Sequence, residues 1–149
     1  MADTFASIFL HLVFSTKKRQ RLIVPELRPR LYQYMTGIVQ DIGGSMISIG
    51  GMEDHAHLPV RWNTEGIKML VGEVKAGSSR FVNEELPQFA PFYWQAGGGI
   101  FSVSKSETDR VVRYIETQEE HHRRRTFKEE YLESLRKHEV EHDERHVWD

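Results

Sequence analysis

The sequence predicts an α+β domain with a ferredoxin-like, split β-α-β antiparallel sheet and helices on one face. Three observations lead to this prediction: an apolar, strand-sized run near the N-terminus, later segments whose apolar residues recur at helical spacing, and short β-rich segments between them. The chain has 149 residues, of which 39% are hydrophobic. This length and composition suit one core-forming domain over residues 1–149.

The predicted elements follow the order β-α-β-β-α-β-α, with an additional C-terminal helix and a charged tail. Residues 5–14 are apolar enough for a buried strand, and a helix begins at Pro25 and ends at Gly43-Gly44. Residues 46–49 and 55–62 then form two strands that are separated by a short turn. The first half of the chain therefore supplies three of the four predicted strands.

The second half supplies the remaining strand and most of the helical residues. The second long helix has an apolar face at helical spacing, and the segment at 75–80 lies near its predicted end. Residues 83–93 contain two prolines and are predicted to form a loop. A last strand at 94–104 precedes a helix that carries Tyr114, and a highly charged helix follows at about 127–136.

Composition excludes several classes of protein. The absence of cysteine excludes disulfides, thiolate metal sites and cysteine nucleophiles. No run approaches the roughly 18 apolar residues of a spanning helix, and the N-terminus lacks a secretion signal, so the cytoplasm is the expected location. The net charge is −2, but basic clusters at 17–21, 28–30 and 121–125 are able to bind phosphates locally.

A histidine pair on the strand at 55–62 is the first candidate site. Side chains alternate along a strand, so His55 and His57 share one face while Ala56 and Leu58 share the other. Two imidazoles at this spacing are able to hold one metal ion, and Asp54 is placed to orient a ring. The same pattern also fits two histidines on a polar face that bind no metal.

Tyr114 and Gln118 form the second candidate site. Their i,i+4 spacing places both on one face of the predicted helix, at the shoulder of the stripe that Val111 and Ile115 form. A shoulder position lets a side chain lie along a sheet surface and still reach solvent. A half-buried tyrosine with polar neighbours is the simpler interpretation of this pattern.

Two further patterns have weaker context. His138-Glu139-x-x-His142 matches a zinc-hydrolase helix, but its surroundings are almost entirely charged, which favours a solvated segment. Lys75 and Arg80 flank two serines near a predicted helix end, where they suit phosphate contacts or a solvated, fraying terminus.

Several motifs in their chain order resemble one known family. These are Val-Phe-Ser-Thr-Lys-Lys-Arg-Gln at 13–20, Gly-Gly-Met-Glu-Asp-His-Ala-His-Leu at 50–58, Lys-Ala-Gly-Ser-Ser-Arg at 75–80, Phe-Tyr-Trp-Gln at 92–95, and Arg-Tyr-Ile-Glu-Thr-Gln from Arg113 onward. Together they resemble the HUH single-tyrosine (Y1) transposases of minimal insertion sequences and the REP-associated tyrosine transposases. The resemblance extends over nearly the whole chain.

The resemblance implies a metal-dependent transposase that cleaves and rejoins single-stranded DNA, often at hairpins, and that forms a homodimer without a membrane partner. It implies that Tyr114 is the nucleophile of a 5′-phosphotyrosine intermediate and that His55, His57 and Gln118 bind Mg²⁺ or Mn²⁺. Contacts with the DNA backbone are then expected from basic side chains, namely Lys17, Lys18, Arg19, Arg21, Lys75 and Arg80.

Two positions depart from the family pattern. Pro59 replaces an aliphatic residue and removes one ladder hydrogen bond, which predicts a strand edge or a bulge beside the histidines. Gly98 replaces an aromatic residue in the Gly97–Gly99 loop. The sequence therefore leaves open a second function, that of a domesticated relative that binds DNA hairpins without mobilising them.

Overall fold

A five-stranded antiparallel sheet forms the centre of the fold, in a computed structural model that describes residues 4–118, 120, 122, 125–143 and 145–148. Strand β1 lies between β4 and β5, while β2 and β3 pair in turn with the other edge of β4. The strands are β1 Ile8–Ser15, β2 Ser45–Met46, β3 Gly50–Met52, β4 His55–Trp62 and β5 Gly99–Val103.

The helices follow the predicted order, and the α+β fold class is confirmed. Those with described bounds are α1 Arg28–Asp41, α2 Ile67–Glu85, α3 Thr108–Glu116 and α4 Phe127–Lys137. Short 3-10 turns lie at Lys17–Arg19, Pro87–Phe89 and Lys105–Glu107. Among the helices described here, none is both long and apolar enough to span a bilayer.

The main core lies between one face of the sheet and the α1–α2 layer. Leu12 and Phe14 of β1 and Leu58 of β4 are fully buried there. The helices contribute Leu31 from α1 and Leu70 from α2 to the same cluster. Helices α1 and α2 thus cover one face of the sheet, as the sequence predicts.

The opposite face of the sheet carries a smaller apolar cluster under α4. Val13 of β1 and Phe101 of β5 pack there against Phe127, Tyr131 and Leu135 of α4. Because neighbouring residues of a strand face opposite sides, the side chains between the main-core positions of β4 also point to this face. Helix α4 therefore forms a partial second layer, which the one-face prediction does not include.

Helix α2 does not fray at Gly77, so the structure excludes the fraying terminus that is one of the two interpretations of the segment at 75–80. The helix continues to Glu85 because Gly77 is a site of close packing. A Cβ atom at this position would lie 2.8 Å from Cδ1 of Ile38 in α1. The glycine therefore brings the two helices together, and its helix-breaking tendency is overcome by tertiary contact.

The bulge that Pro59 predicts is present in the sheet. Met46 faces Val60 and Gly50 faces His57. The segment from Met46 to Gly50 therefore has one residue more than the segment of β4 that it faces, which defines a bulge. The Pro59 carbonyl accepts a hydrogen bond from the Ile47 N–H at 2.9 Å. The missing N–H of Pro59 therefore falls on the edge of β4 that faces the bulge. The hydrogen bonds between β4 and β1, on the other edge, are all kept.

Gly51 is expected to be essential for the β3–β4 turn that precedes the histidine strand. Its φ is +158°, and a Cβ would lie 2.2 Å from the His55 carbonyl oxygen. We expect Gly51→Ala to lower the free energy of unfolding by more than about 1 kcal/mol, measured by urea denaturation. Gly72→Ala is the control, because its Cβ meets open space in α2; we expect a gain of about 0.5–1 kcal/mol. Equal losses in both variants would contradict this account.

Candidate active site

His55 and His57 lie on the face of β4 that points away from the α1–α2 core. Their side chains are almost fully buried, whereas Ala56 and Leu58 pack into the main core. The alternation of a strand therefore divides β4 into a structural face and a face with two adjacent imidazoles. The two ring centroids are 5.0 Å apart, with their planes nearly perpendicular.

Asp54 orients the first histidine. The His55 Nδ1 lies 2.8 Å from the Asp54 Oδ1, so the ring donates its Nδ1–H to the carboxylate. The Nε2 atom then carries a lone pair and lies 2.9 Å from the Gln118 Oε1. Phe127 stacks on the ring at 3.8 Å between centroids, which fixes its plane. His55 is therefore held in the tautomer that a metal ligand requires.

His11 is the corresponding partner of the second histidine. Its Nε2 lies 2.9 Å from the His57 Nδ1. Burial, together with His57, lowers the pKa of His11 to about 3, so its ring is neutral and its Nε2 is able to accept the His57 Nδ1–H. Burial also lowers the pKa of His57. The His57 Nε2 points to the Glu130 Oε1, 2.9 Å away.

Helix α3 carries Tyr114 to the histidines of the same chain, and Gln118 follows two residues after the helix ends at Glu116. The Tyr114 ring lies 5.9 Å from the His57 ring, edge to face. The helix approaches β3 closely because Gly50 has no side chain: a Cβ there would lie 2.7 Å from Cγ2 of Ile115. Gln118, one turn further, is buried against His55. The structure therefore gathers the four residues that the sequence selects.

Glu130 is a site residue that the sequence analysis missed. It lies on α4, three residues after Phe127, and its side chain is 5% exposed. Burial opposes ionisation, but contacts with His57 and Tyr114 outweigh it and lower the pKa of Glu130 to about 2. Burial and this carboxylate raise the pKa of the Tyr114 hydroxyl, which donates a hydrogen bond to Glu130. The tyrosine is therefore protonated in this arrangement.

The local sequence fixes the start of α4 and thereby the position of Glu130. Thr126 and Glu129 form a capping box, in which the Thr126 hydroxyl accepts from the Glu129 N–H at 3.1 Å. An acidic residue directly before the apolar Tyr131-Leu132 pair is the signal that the sequence offers for Glu130, but it does not show which face of the helix meets the sheet. His11, alone in an apolar strand, offers a similar signal.

The donors present fit a divalent cation. His57 Nε2 and Glu130 Oε1 are buried, and neither finds a well-aligned hydrogen-bond partner in the described part of the chain. His55, His122 and Glu130 also offer ligand atoms that all lie within 4.8 Å of one another. Imidazole nitrogens combined with amide and carboxylate oxygens suit Mn²⁺ better than Mg²⁺, which prefers an all-oxygen shell.

The basic turn at Lys17–Arg19 lies beside this site. Its exposed side chains follow Ser15 and Thr16. Ser15 faces His55 in the sheet, and the Thr16 N–H donates to the Asp54 carbonyl at 2.9 Å. Lys18 and Arg19 both have φ of 55°, a left-handed conformation that is uncommon for residues other than glycine.

The side chains of the basic turn contact two aromatic rings. The Arg19 guanidinium lies over the Trp148 ring, while Lys17 lies over Tyr93. Arg21 is also exposed.

Lys75 and Arg80 lie elsewhere. Both are on α2, which the sheet separates from the histidines. The Lys75 Nζ donates to the carbonyls of Gln95 and Gly97, the latter at 2.8 Å, so it stabilises the loop before β5. Arg80 is exposed to solvent. The structure thus assembles only part of the predicted basic set around the site.

The His138–His142 pattern does not form a zinc-hydrolase helix. Helix α4 ends at Lys137, and Glu139 has a left-handed φ of 56°. The Nδ1 atoms of His138 and His142 instead lie close to the carbonyls of Ser134 and Val140, at 2.9 and 3.0 Å. Without a continuous helix, the i,i+4 spacing does not place both imidazoles on one face.

Residues 4–118 match the family model described as IS200-like transposase, so the chain belongs to this family. The match confirms the resemblance to Y1 transposases that the sequence motifs indicate. Membership places the protein among enzymes that cut and transfer DNA strands.

Individual relatives agree with this classification. The ISDra2 transposase TnpA of Deinococcus radiodurans is 28% identical over 116 residues, which cover 72% of this chain and 81% of that protein.

Two solved structures share the fold. A crystal structure assigned to a Deinococcus radiodurans transposase has a TM-score of 0.61 at 22% identity and covers 79% of this chain and 95% of its own. A REP-associated tyrosine transposase bound to a REP hairpin has a TM-score of 0.59 at 12% identity, covering 82% and 74%.

We expect Thr126→Ala to loosen α4. The substitution removes the hydroxyl that caps the helix, which costs about 1 kcal/mol. Hydrogen exchange of the α4 amides should therefore become faster while exchange in α2 is unchanged. Thr36→Ala is the control, because the Thr36 hydroxyl bonds the Tyr32 carbonyl within α1 and caps no helix. Equal protection of α4 in both variants would contradict the assignment of the cap.

Proposed function

We propose that this protein is a metal-dependent transposase of single-stranded DNA that uses Tyr114 as its nucleophile. The observation that carries the proposal is the contact of the Tyr114 ring with His57, beside the buried donors of His55 and Gln118. A simple half-buried tyrosine does not explain why it lies against an oriented histidine pair.

The proposed reaction is a reversible transesterification. The Tyr114 oxygen attacks the phosphorus of a DNA phosphodiester, its proton is lost, and the O3′ atom leaves and takes up a proton. The products are a 5′-phosphotyrosine link and a free 3′-hydroxyl. Attack by another 3′-hydroxyl reverses the step and rejoins DNA, so the phosphoester energy is retained and no ATP is required.

His55, His57 and Gln118 are the proposed ligands of Mg²⁺ or Mn²⁺, and a bound divalent cation would offset the negative charge that develops on the phosphate. The protein's own contribution is orientation. Asp54 fixes the His55 tautomer, and His11 accepts the hydrogen bond that directs the His57 Nε2 into the site. Because the His55 and His57 rings are buried, water does not compete for these two hydrogen bonds.

DNA is the proposed partner, in the form of a single strand that contains a hairpin. A structural relative is described as bound to a REP hairpin, and the Lys17–Arg19 turn presents exposed cations directly beside Asp54. Lys18 and Arg21 are therefore the first candidates for backbone contacts near the cleavage site. A homodimer remains a prediction from the family resemblance.

Tyr114→Phe is expected to abolish covalent attachment to DNA. The variant protein is incubated with Mn²⁺ and end-labelled single-stranded hairpin DNA and resolved on a denaturing gel. Wild type should retain the label 3′ of the cut, whereas Tyr114→Phe should retain none because no oxygen is available to attack. Tyr34→Phe is the control, since Tyr34 stacks on Phe81 on the α1–α2 side of the sheet. A hairpin bound without any adduct in wild type would instead support the binding-only relative.

Asp54→Ala is expected to weaken Mn²⁺ binding about 10–100-fold, because the His55 tautomer is no longer fixed. Binding is measured from the electron paramagnetic resonance signal of free Mn²⁺, without DNA. Asp41→Ala, at the exposed end of α1, is the matched control and should bind like wild type. Unchanged affinity in Asp54→Ala would remove Asp54 from the proposed metal centre.

A further inference from the structure

We propose that Glu130 of α4 is a fourth protein ligand of the metal site. This inference rests on the proposed function, since it presumes that the histidine pair binds a metal. Helix α4 lies beyond residues 4–118, which the family model matches. The ligand would therefore come from a part of this chain outside the matched domain.

The position of the carboxylate carries the proposal. Glu130 Oε1 lies 2.9 Å from the Nε2 of His57 and 3.9 Å from the Nε2 of His55. Its Oε2 lies 3.6 Å from the Nε2 of His122. One carboxylate thus faces the metal-binding nitrogens of both strand histidines from the opposite side of the site.

The neutral His57 ring gives its Nδ1–H to His11, so its Nε2 carries a lone pair and faces the carboxylate oxygen as one acceptor faces another. Glu130 Oε1 and His57 Nε2 are close, yet neither atom has a well-aligned partner among the described residues. Leaving two such buried groups without partners is costly. A cation held by both atoms would remove this cost, because it would give each of them a partner.

Glu130 would also supply the negative charge that the other proposed ligands lack. His55, His57 and Gln118 are neutral as ligands, so they compensate none of the charge of a divalent ion in a buried site. Glu130 is the anion in this set of four donors. Its hard oxygen also suits Mg²⁺ and Mn²⁺ better than imidazole does.

Helix α4 holds the carboxylate in place through its neighbours. Phe127 stacks on His55, and Tyr131 packs over Gly99, where a Cβ would lie 3.0 Å from its ring. Trp148 packs against both aromatic rings, at 5.5 and 5.2 Å between centroids. The ligand is therefore positioned before any cation binds, which lowers the entropy that binding costs.

The test is a Mn²⁺ titration of Glu130→Gln, with free Mn²⁺ followed by electron paramagnetic resonance and no DNA present. We expect the affinity to fall at least about tenfold, because the amide keeps the shape of the side chain but loses its charge. Glu133→Gln, which changes an exposed glutamate of the same helix, should bind like wild type. Thermal unfolding in EDTA establishes that the variants are folded.

Unchanged or tighter Mn²⁺ binding by Glu130→Gln would overturn the inference, because the carboxylate would then obstruct the site. Glu130→Asp provides a second test. Its side chain is one methylene shorter, so the carboxylate lies further from the histidines, and this variant should also bind Mn²⁺ more weakly. His57→Ala separates this failure from that of the proposed function. If His57→Ala loses Mn²⁺ and Glu130→Gln does not, only the fourth ligand is wrong; if His57→Ala retains Mn²⁺, the metal site itself is wrong.

Discussion

The alternation of side chains along β4 is the constraint on which the rest of the structure depends. One face of this strand anchors the sheet to α1 and α2 through Ala56 and Leu58, and the other presents His55 and His57. The same backbone hydrogen bonds therefore fix the core and the imidazoles. A change of register by one residue would exchange the two faces, and both the core packing and the position of the imidazoles would be lost. This coupling explains why the bulge at Pro59 lies on the β2–β3 side, where the ladder to β1 is unaffected.

Local patterns predicted much of this arrangement. Strict alternation around His55 and His57, and the i,i+4 spacing of Tyr114 and Gln118, are geometric consequences of strand and helix periods. The histidine pair therefore occupies the face that the sequence indicates, and Gln118 reaches His55 although α3 ends at Glu116. The order of the elements followed equally from turn residues and apolar spacing. What made these features predictable is that each depends on residues close together in the chain.

The features that sequence did not reveal depend on contacts between distant segments. Gly77 would end an isolated helix, but Ile38 of α1 packs against it and the helix continues. The bonds from Lys75 to the carbonyls of the loop before β5 join segments about 20 residues apart, so no local pattern indicates them. The sequence does not distinguish Glu130 from the other acidic residues of its segment, because only the fold shows which face of α4 meets β4. Tertiary context, absent from any local window, decides all three.

The location of Trp148 provides a built-in optical reporter. Its indole packs on Phe127 and Tyr131, beneath the Arg19 guanidinium and one layer from the imidazoles. The other tryptophans, Trp62 and Trp94, belong to the core on the far side of the sheet. Of the three indoles, Trp148 is therefore the one whose emission we expect to respond to displacement of the C-terminal layer or of the basic turn. The protein thus carries a fluorophore between the proposed metal site and the basic turn, with no dye attached.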